Sequence, residues 1–139
     1  MNDIHKLMHR LHNPDLAALF IRIALGIVFI NAGWMKISNM AATVGFFGSF
    51  GFPSPLAYVV SYAELLCGIA FILGFFVRYA GILISIIMVV AAKLVFAKGF
   101  SLANGGFEYN FVLMFCALAM VTLGAGTYSL AYMLKKNKQ

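Results

Sequence analysis

Five ionisable side chains, Arg22, Lys36, Glu64, Lys93 and Glu108, stand inside or at the edges of runs that are otherwise apolar. A charge at the centre of a hydrocarbon layer costs about 2.5–3.5 kcal/mol, so such residues turn toward a protein interior or a wet cavity. A buried carboxyl beside an ammonium can hold or pass a proton. Asn31 and Asn110 add amides that can orient a polar head group. Read together, Arg22, Asn31, Lys36, Glu64, Lys93, Glu108 and Asn110 form the candidate ligand-binding set, and Glu64 is the candidate catalytic group. The other reading of the same charges is that they cross-link a bundle.

The elements that must position these residues are transmembrane helices. Of 139 residues, 63% are hydrophobic and 10% charged, against roughly 45–50% and about 25% in a soluble domain. Mean hydropathy is +0.96. This composition excludes a soluble enzyme, a disordered tail and a disulfide-stapled secreted domain. A span needs about 20 apolar residues, and four segments meet that need: 16–37, 56–77, 79–97 and 107–130. The expected fold is an all-α integral membrane protein, a single four-helix transmembrane bundle over 1–139. The first run is too long for a signal-peptide core and reads as a retained span. Between the first two spans, Phe46, Phe47, Phe50 and Phe52 alternate with Gly45, Gly48, Gly51 and Pro53. That stretch reads as a short interfacial or re-entrant segment.

Helical spacing gathers the charges onto faces. Arg22, Gly26, Phe29, Gly33 and Lys36 recur at steps of four and three, as do Ser61, Glu64, Gly68 and Phe71. Glu108, Val112, Phe115, Ala119 and Thr122 do the same in the fourth span. At 1.5 Å per residue, Glu64 lies about 12 Å and Lys93 about 6 Å inside the side opposite the tails. On depth, Lys93 is expected to pair with Glu64, and Lys36 with Glu108. Arg22, about 9 Å from the tail side, either snorkels to that surface or turns inward.

The net charge is +6. Lys6, Arg10, Arg78, Lys135, Lys136 and Lys138 fall on the tail side, and Lys36 and Lys98 on the other. The positive-inside rule then makes both termini cytoplasmic, with the tail charges near anionic lipid. No basic stripe with polar readers points to nucleic acid. His5 and His9 share one helical face, but a solvated tail explains them and no metal set is expected. Cys67 and Cys116 read as apolar fillers rather than redox thiols. No haem-spaced histidines or flavin fingerprint occur in the spans, so no cofactor is expected in the chain itself.

These residues, in order, resemble the DoxX family. Arg22-x-x-x-Gly26, Phe29 and Gly33-x-x-Lys36 look like its opening, and Gly51-Phe52-Pro53 like the turn before its second span. Glu64-x-x-x-Gly68, Leu73-Gly74 and Arg78 follow, then Gly105-Gly106-x-Glu108-x-Asn110 and Gly124-x-Gly126-x-x-Ser129-Leu130. Cys67 and Lys93 match no motif position. The resemblance implies a bacterial inner-membrane four-helix protein, in some relatives a subunit of a thiosulfate:quinone oxidoreductase. It implies a redox-associated subunit with a quinone-like or small polar ligand in the half of the bundle away from the tails, with a redox partner subunit or a homo-oligomer as partners and the cofactor supplied by a partner or by quinone. A non-catalytic anchor or assembly subunit and a small transporter subunit are the alternatives.

Overall fold

The computed structural model describes residues 2–139. It is helical throughout, with no strand among the described residues. Among the described residues seven α-helices follow one another: α1 (Asn2–Leu11), α2 (Pro14–Ser38), α3 (Met40–Ser49), α4 (Ser54–Leu73), α5 (Val77–Val95), α6 (Glu108–Leu123) and α7 (Leu130–Lys136). Two 3₁₀ turns, Phe96–Lys98 and Leu102–Asn104, lie between α5 and α6. Helices α2, α4 and α5 are long and apolar enough to cross a membrane. The exposed surface of these helices is itself apolar, as Leu66, Ile82 and Ile86 show. That is the surface a lipid-facing bundle requires.

Local sequence sets the helix ends. Asn13 opens α2 by accepting a hydrogen bond from the Leu16 amide at 3.1 Å. Pro14 in the first turn needs no amide partner, and Asp15 faces the positive end of the helix dipole. Helix α4 ends at Gly74, whose φ of 73° is the left-handed conformation a side chain resists. Only Phe75 and Phe76 separate Gly74 from the start of α5, so α4 and α5 form a hairpin.

Two helix pairs make the bundle: α2 packs chiefly on α4, and α5 on α6. Small residues permit the close approach. A Cβ on Gly33 would sit 2.6 Å from the Leu65 amide nitrogen, and one on Gly68 would sit 2.6 Å from that of Ile30. Without strong hydrophobic drive in lipid, such close contact supplies the packing attraction between helices. Leu25, Phe29, Phe71, Ile84, Ala117 and Met120 fill the centre at 1% exposure or less. Ser61 and Ser85 satisfy their buried hydroxyls by donating to the carbonyls of Ala57 and Gly81, one turn back.

The fourth apolar segment differs from its expected form. Helix α6 has 16 residues, about 24 Å of rise, and stops at Gly124 with φ 72°. The continuation expected to residue 130 is instead a loop, and α7 is a separate helix. The inward face is also different. Val112, Phe115 and Thr122 are exposed, while Leu113, Ala117 and Met120 are buried. Helix α6 is apolar on every side, so its sequence carries no azimuthal signal and only its contact with α5 selects a face. The faces expected for α2 and α4 are the buried ones.

Candidate functional site

One ion pair occurs among the described residues, Lys36 to Glu64. Lys36 lies in the last turn of α2, and its Nζ donates to Glu64 Oε2 in the middle of α4. The two side chains are unequal: that of Glu64 is 2% exposed and that of Lys36 is 34% exposed. The pairings expected from depth are therefore replaced. Lys36, not Lys93, meets Glu64, and Glu108 has a different partner. Depth gives height along a helix but not azimuth. The antiparallel contact of Gly33 with Leu65 and of Gly68 with Ile30 aligns α2 and α4. It brings the end of α2 to the level of Glu64.

A cavity of about 420 Å³ opens beside this pair, between α3, α4 and α5. Lys36 and Glu64 are the charged groups on its wall. Phe46, Phe47, Phe50 and Phe52 close one side, and aliphatic residues of α4 and α5, among them Val59, Ala63, Leu83 and Ile87, close the other. Phe46 and Phe50 stand edge to face at 5.1 Å between ring centroids. Thr43 anchors this aromatic wall: its hydroxyl donates to the Lys36 carbonyl at 3.0 Å, tying α3 to the end of α2. The phenylalanines were visible in the sequence as a broken apolar stretch. Their i, i+4 spacing at 46 and 50 was the signal that they form one face, but not that the face lines a cavity.

The remaining candidates are spread away from this centre. Lys93 is exposed on α5, and Asn31 is exposed on α2, its amide 3.5 Å from the Met35 sulfur. Asn110 is half-buried on α6 and does not line the cavity. Glu108 accepts a hydrogen bond from the Leu102 amide at 2.9 Å and so ties down the turn before α6. The Glu108 amide in turn donates to the Phe100 carbonyl at 2.9 Å.

Arg22 turns inward and is 1% exposed. Its Nε donates to the Phe71 carbonyl at 2.9 Å and its Nη2 to that of Ile72 at 3.3 Å. Its Nη1 donates to the carbonyls of Ala125 and Tyr128. The last carbonyls of a helix have no partner within it and carry the negative end of its dipole. Arg22 caps α4 from the side and holds the loop between α6 and α7 with the same guanidinium. Its four hydrogen-bond acceptors are all backbone carbonyls, which suits a planar fork of donors. It does not line the cavity.

A membrane bundle with one lysine–glutamate pair on an apolar cavity is thus the class that fold and site define. The DoxX family model matches residues 17–98, and the chain belongs to the DoxX family. Over 106 residues it is 33% identical to a Bacillus subtilis (strain 168) protein named "Putative oxidoreductase CatD", covering 76% of this chain and 79% of that one. Over 125 residues it is 30% identical to an Escherichia coli (strain K12) protein named "Inner membrane protein YqjF", covering 88% and 95%. No solved structure matches the chain.

Proposed function

We propose that this protein is an inner-membrane, redox-associated subunit that binds a quinone-like amphiphile in the cavity between α3, α4 and α5. The observation that carries this reading is the placement of Lys36 and Glu64 on an otherwise apolar wall. A ligand suited to such a wall has a ring or chain that fills the apolar volume and one polar end. The polar end must accept from an ammonium or donate to a carboxylate. A quinone head accepts through its carbonyls, and a quinol donates through its hydroxyls. Phe46 and Phe50 offer ring edges and faces to a flat aromatic head.

Quinone reduction takes two electrons and two protons. In this reading, Glu64 relays protons and Lys36 orients the polar end. The electrons come from a partner protein that carries its own redox centre. The names of the two relatives, "Putative oxidoreductase CatD" and "Inner membrane protein YqjF", support the redox-associated inner-membrane part of this reading. Both termini are placed in the cytoplasm on the distribution of lysine and arginine. Support comes from Tyr128, which precedes α7 and is held by Arg22 in the N-terminal half of α2, so the two terminal helices leave the bundle at one end.

The test is mass spectrometry of lipids retained by the purified protein. Wild type, Glu64→Gln, Lys36→Met and Lys93→Met are compared, each checked for folding. Retention of a quinone by wild type and Lys93→Met, with loss in the other two, is expected. Absence of quinone from wild type, together with instability of the Lys36 and Glu64 variants, would reassign the pair as a bundle cross-link. The anchor or assembly role would then stand.

A further inference from the structure

We infer that α1 is a surface-lying helix that seats on an anionic bilayer and fixes the cytoplasmic end of the bundle at the lipid boundary. This inference is independent of the ligand proposed for the cavity.

Helix α1 has ten residues and buries none of them. Ile4, Leu7, Met8 and Leu11 follow the i, i+3, i+4, i+7 pattern of one helical face. They are 69%, 58%, 63% and 70% exposed. Lys6 and His9 lie on the opposite face, and Arg10 on its flank. An isolated helix shorter than about 12–15 residues is marginal in water. A segment this short, with four large apolar side chains on one side, needs a surface to fold against, and its own bundle does not provide one.

Position and charge identify that surface. Only His12 and Asn13 separate α1 from α2. Three Cα steps span at most about 11 Å, so α1 cannot leave the membrane boundary where α2 begins. An amphipathic helix held there can place its apolar face among the outermost acyl carbons and its basic face among head groups. Lys6 and Arg10 have company at the same end. The loop residue Tyr128 is fixed to Arg22 at 3.0 Å, and α7 then carries Lys135 and Lys136, with Lys138 just beyond. Against these five cations the same end offers Asp3 and Asp15. Anionic lipid is the complementary partner.

The experiment uses the full chain in a Cys67→Ala, Cys116→Ala background, reconstituted in nanodiscs. A nitroxide label is placed at Met8→Cys on the apolar face or at His9→Cys on the polar face. Collision with oxygen, which concentrates in acyl chains, is compared with collision with a water-soluble nickel chelate. In discs of phosphatidylcholine with phosphatidylglycerol, the label at position 8 should favour oxygen and the label at position 9 should favour nickel. In pure phosphatidylcholine, or with Lys6→Gln and Arg10→Gln, the ratio of detached to seated label at position 8 should rise. The expected rise is about fivefold for each basic side chain that loses its anionic contact. Equal nickel access at both positions in anionic discs would overturn the inference, leaving α1 free in water. Shielding of both labels from both reagents would also overturn it, since that is the signature of a protein partner or second copy. An oxygen preference independent of lipid charge would overturn the anionic selectivity. Ile4→Cys repeats the reading where the label at position 8 perturbs the protein, and neither position touches the core.

Discussion

Glu64 and Lys36 differ in what each leaves behind when the other is removed. Loss of Lys36 strands a carboxylate that is almost fully buried, whereas loss of the Glu64 charge leaves an ammonium that is one-third exposed. Breaking a buried pair from one side costs about 3–5 kcal/mol because the survivor is uncompensated. Lys36→Met should therefore destabilise the protein toward that value, and Glu64→Gln by less. The double variant should cost less than the two single changes combined. Unfolding in mixed detergent micelles, run as a double-mutant cycle, measures all three. Arg22 gives a separate prediction. Hydrogen bonds from a charged donor contribute about 1.5–3 kcal/mol each, and Arg22 reaches four carbonyls. Arg22→Lys keeps the charge but loses the fork. It should cost at least about 3 kcal/mol, while folded protein keeps any ligand bound in the cavity. A loss of ligand without a loss of stability would show that Arg22 acts on the cavity.

Helix contacts carry their own test. A methyl at Gly68 or Gly33 meets backbone of the facing helix, so α2 and α4 must separate. Overpacking of this kind costs about 1–3 kcal/mol. Gly68→Ala and Gly33→Ala should lower the midpoint of thermal unfolding in detergent and loosen the Lys36–Glu64 pair. At Gly48 in α3 a Cβ meets nothing within 4 Å. Gly48→Ala should leave stability unchanged or raise it, by up to about 1 kcal/mol through helix propensity. Helix α3 shows how far an element can be read in advance. Its phenylalanines and glycines marked a short segment outside the spans, and a ten-residue helix is found there. It packs against α4 and is tied to the end of α2 by the Thr43 hydroxyl, contacts that no local pattern contains.

At the scale of the whole molecule, topology and charge make one prediction. If both terminal helices leave on the cytoplasmic side, single cysteines at Asn2 and Lys138 should resist a membrane-impermeant maleimide in intact spheroplasts. They should react once the membrane is opened. Lys98→Cys, in the 3₁₀ turn that follows α5, should react in both cases. The opposite pattern would invert the bundle and place Lys36 and Glu64 nearer the cytoplasm. Trp34, Tyr58 and Tyr109 are all half or more exposed or close to it, at 62%, 49% and 46%. That suits aromatic residues at a lipid interface.

Composition and run length by themselves determined a helical membrane bundle, because hydrocarbon permits a spanning chain few other forms. Spacing also determined the inward faces of α2 and α4, where polar and small residues mark one side of each helix. The family's motif order was legible in the same residues. Tertiary structure alone decided that Lys36 reaches Glu64, that Arg22 caps α4 from within, and that four phenylalanines wall a cavity. It also decided which face of α6 is buried. The physical reason is common to all four. Rise per residue gives the height of a side chain, whereas its partner depends on the rotation and neighbours of each helix, which are set when backbones meet at Gly33, Gly68 and Gly81.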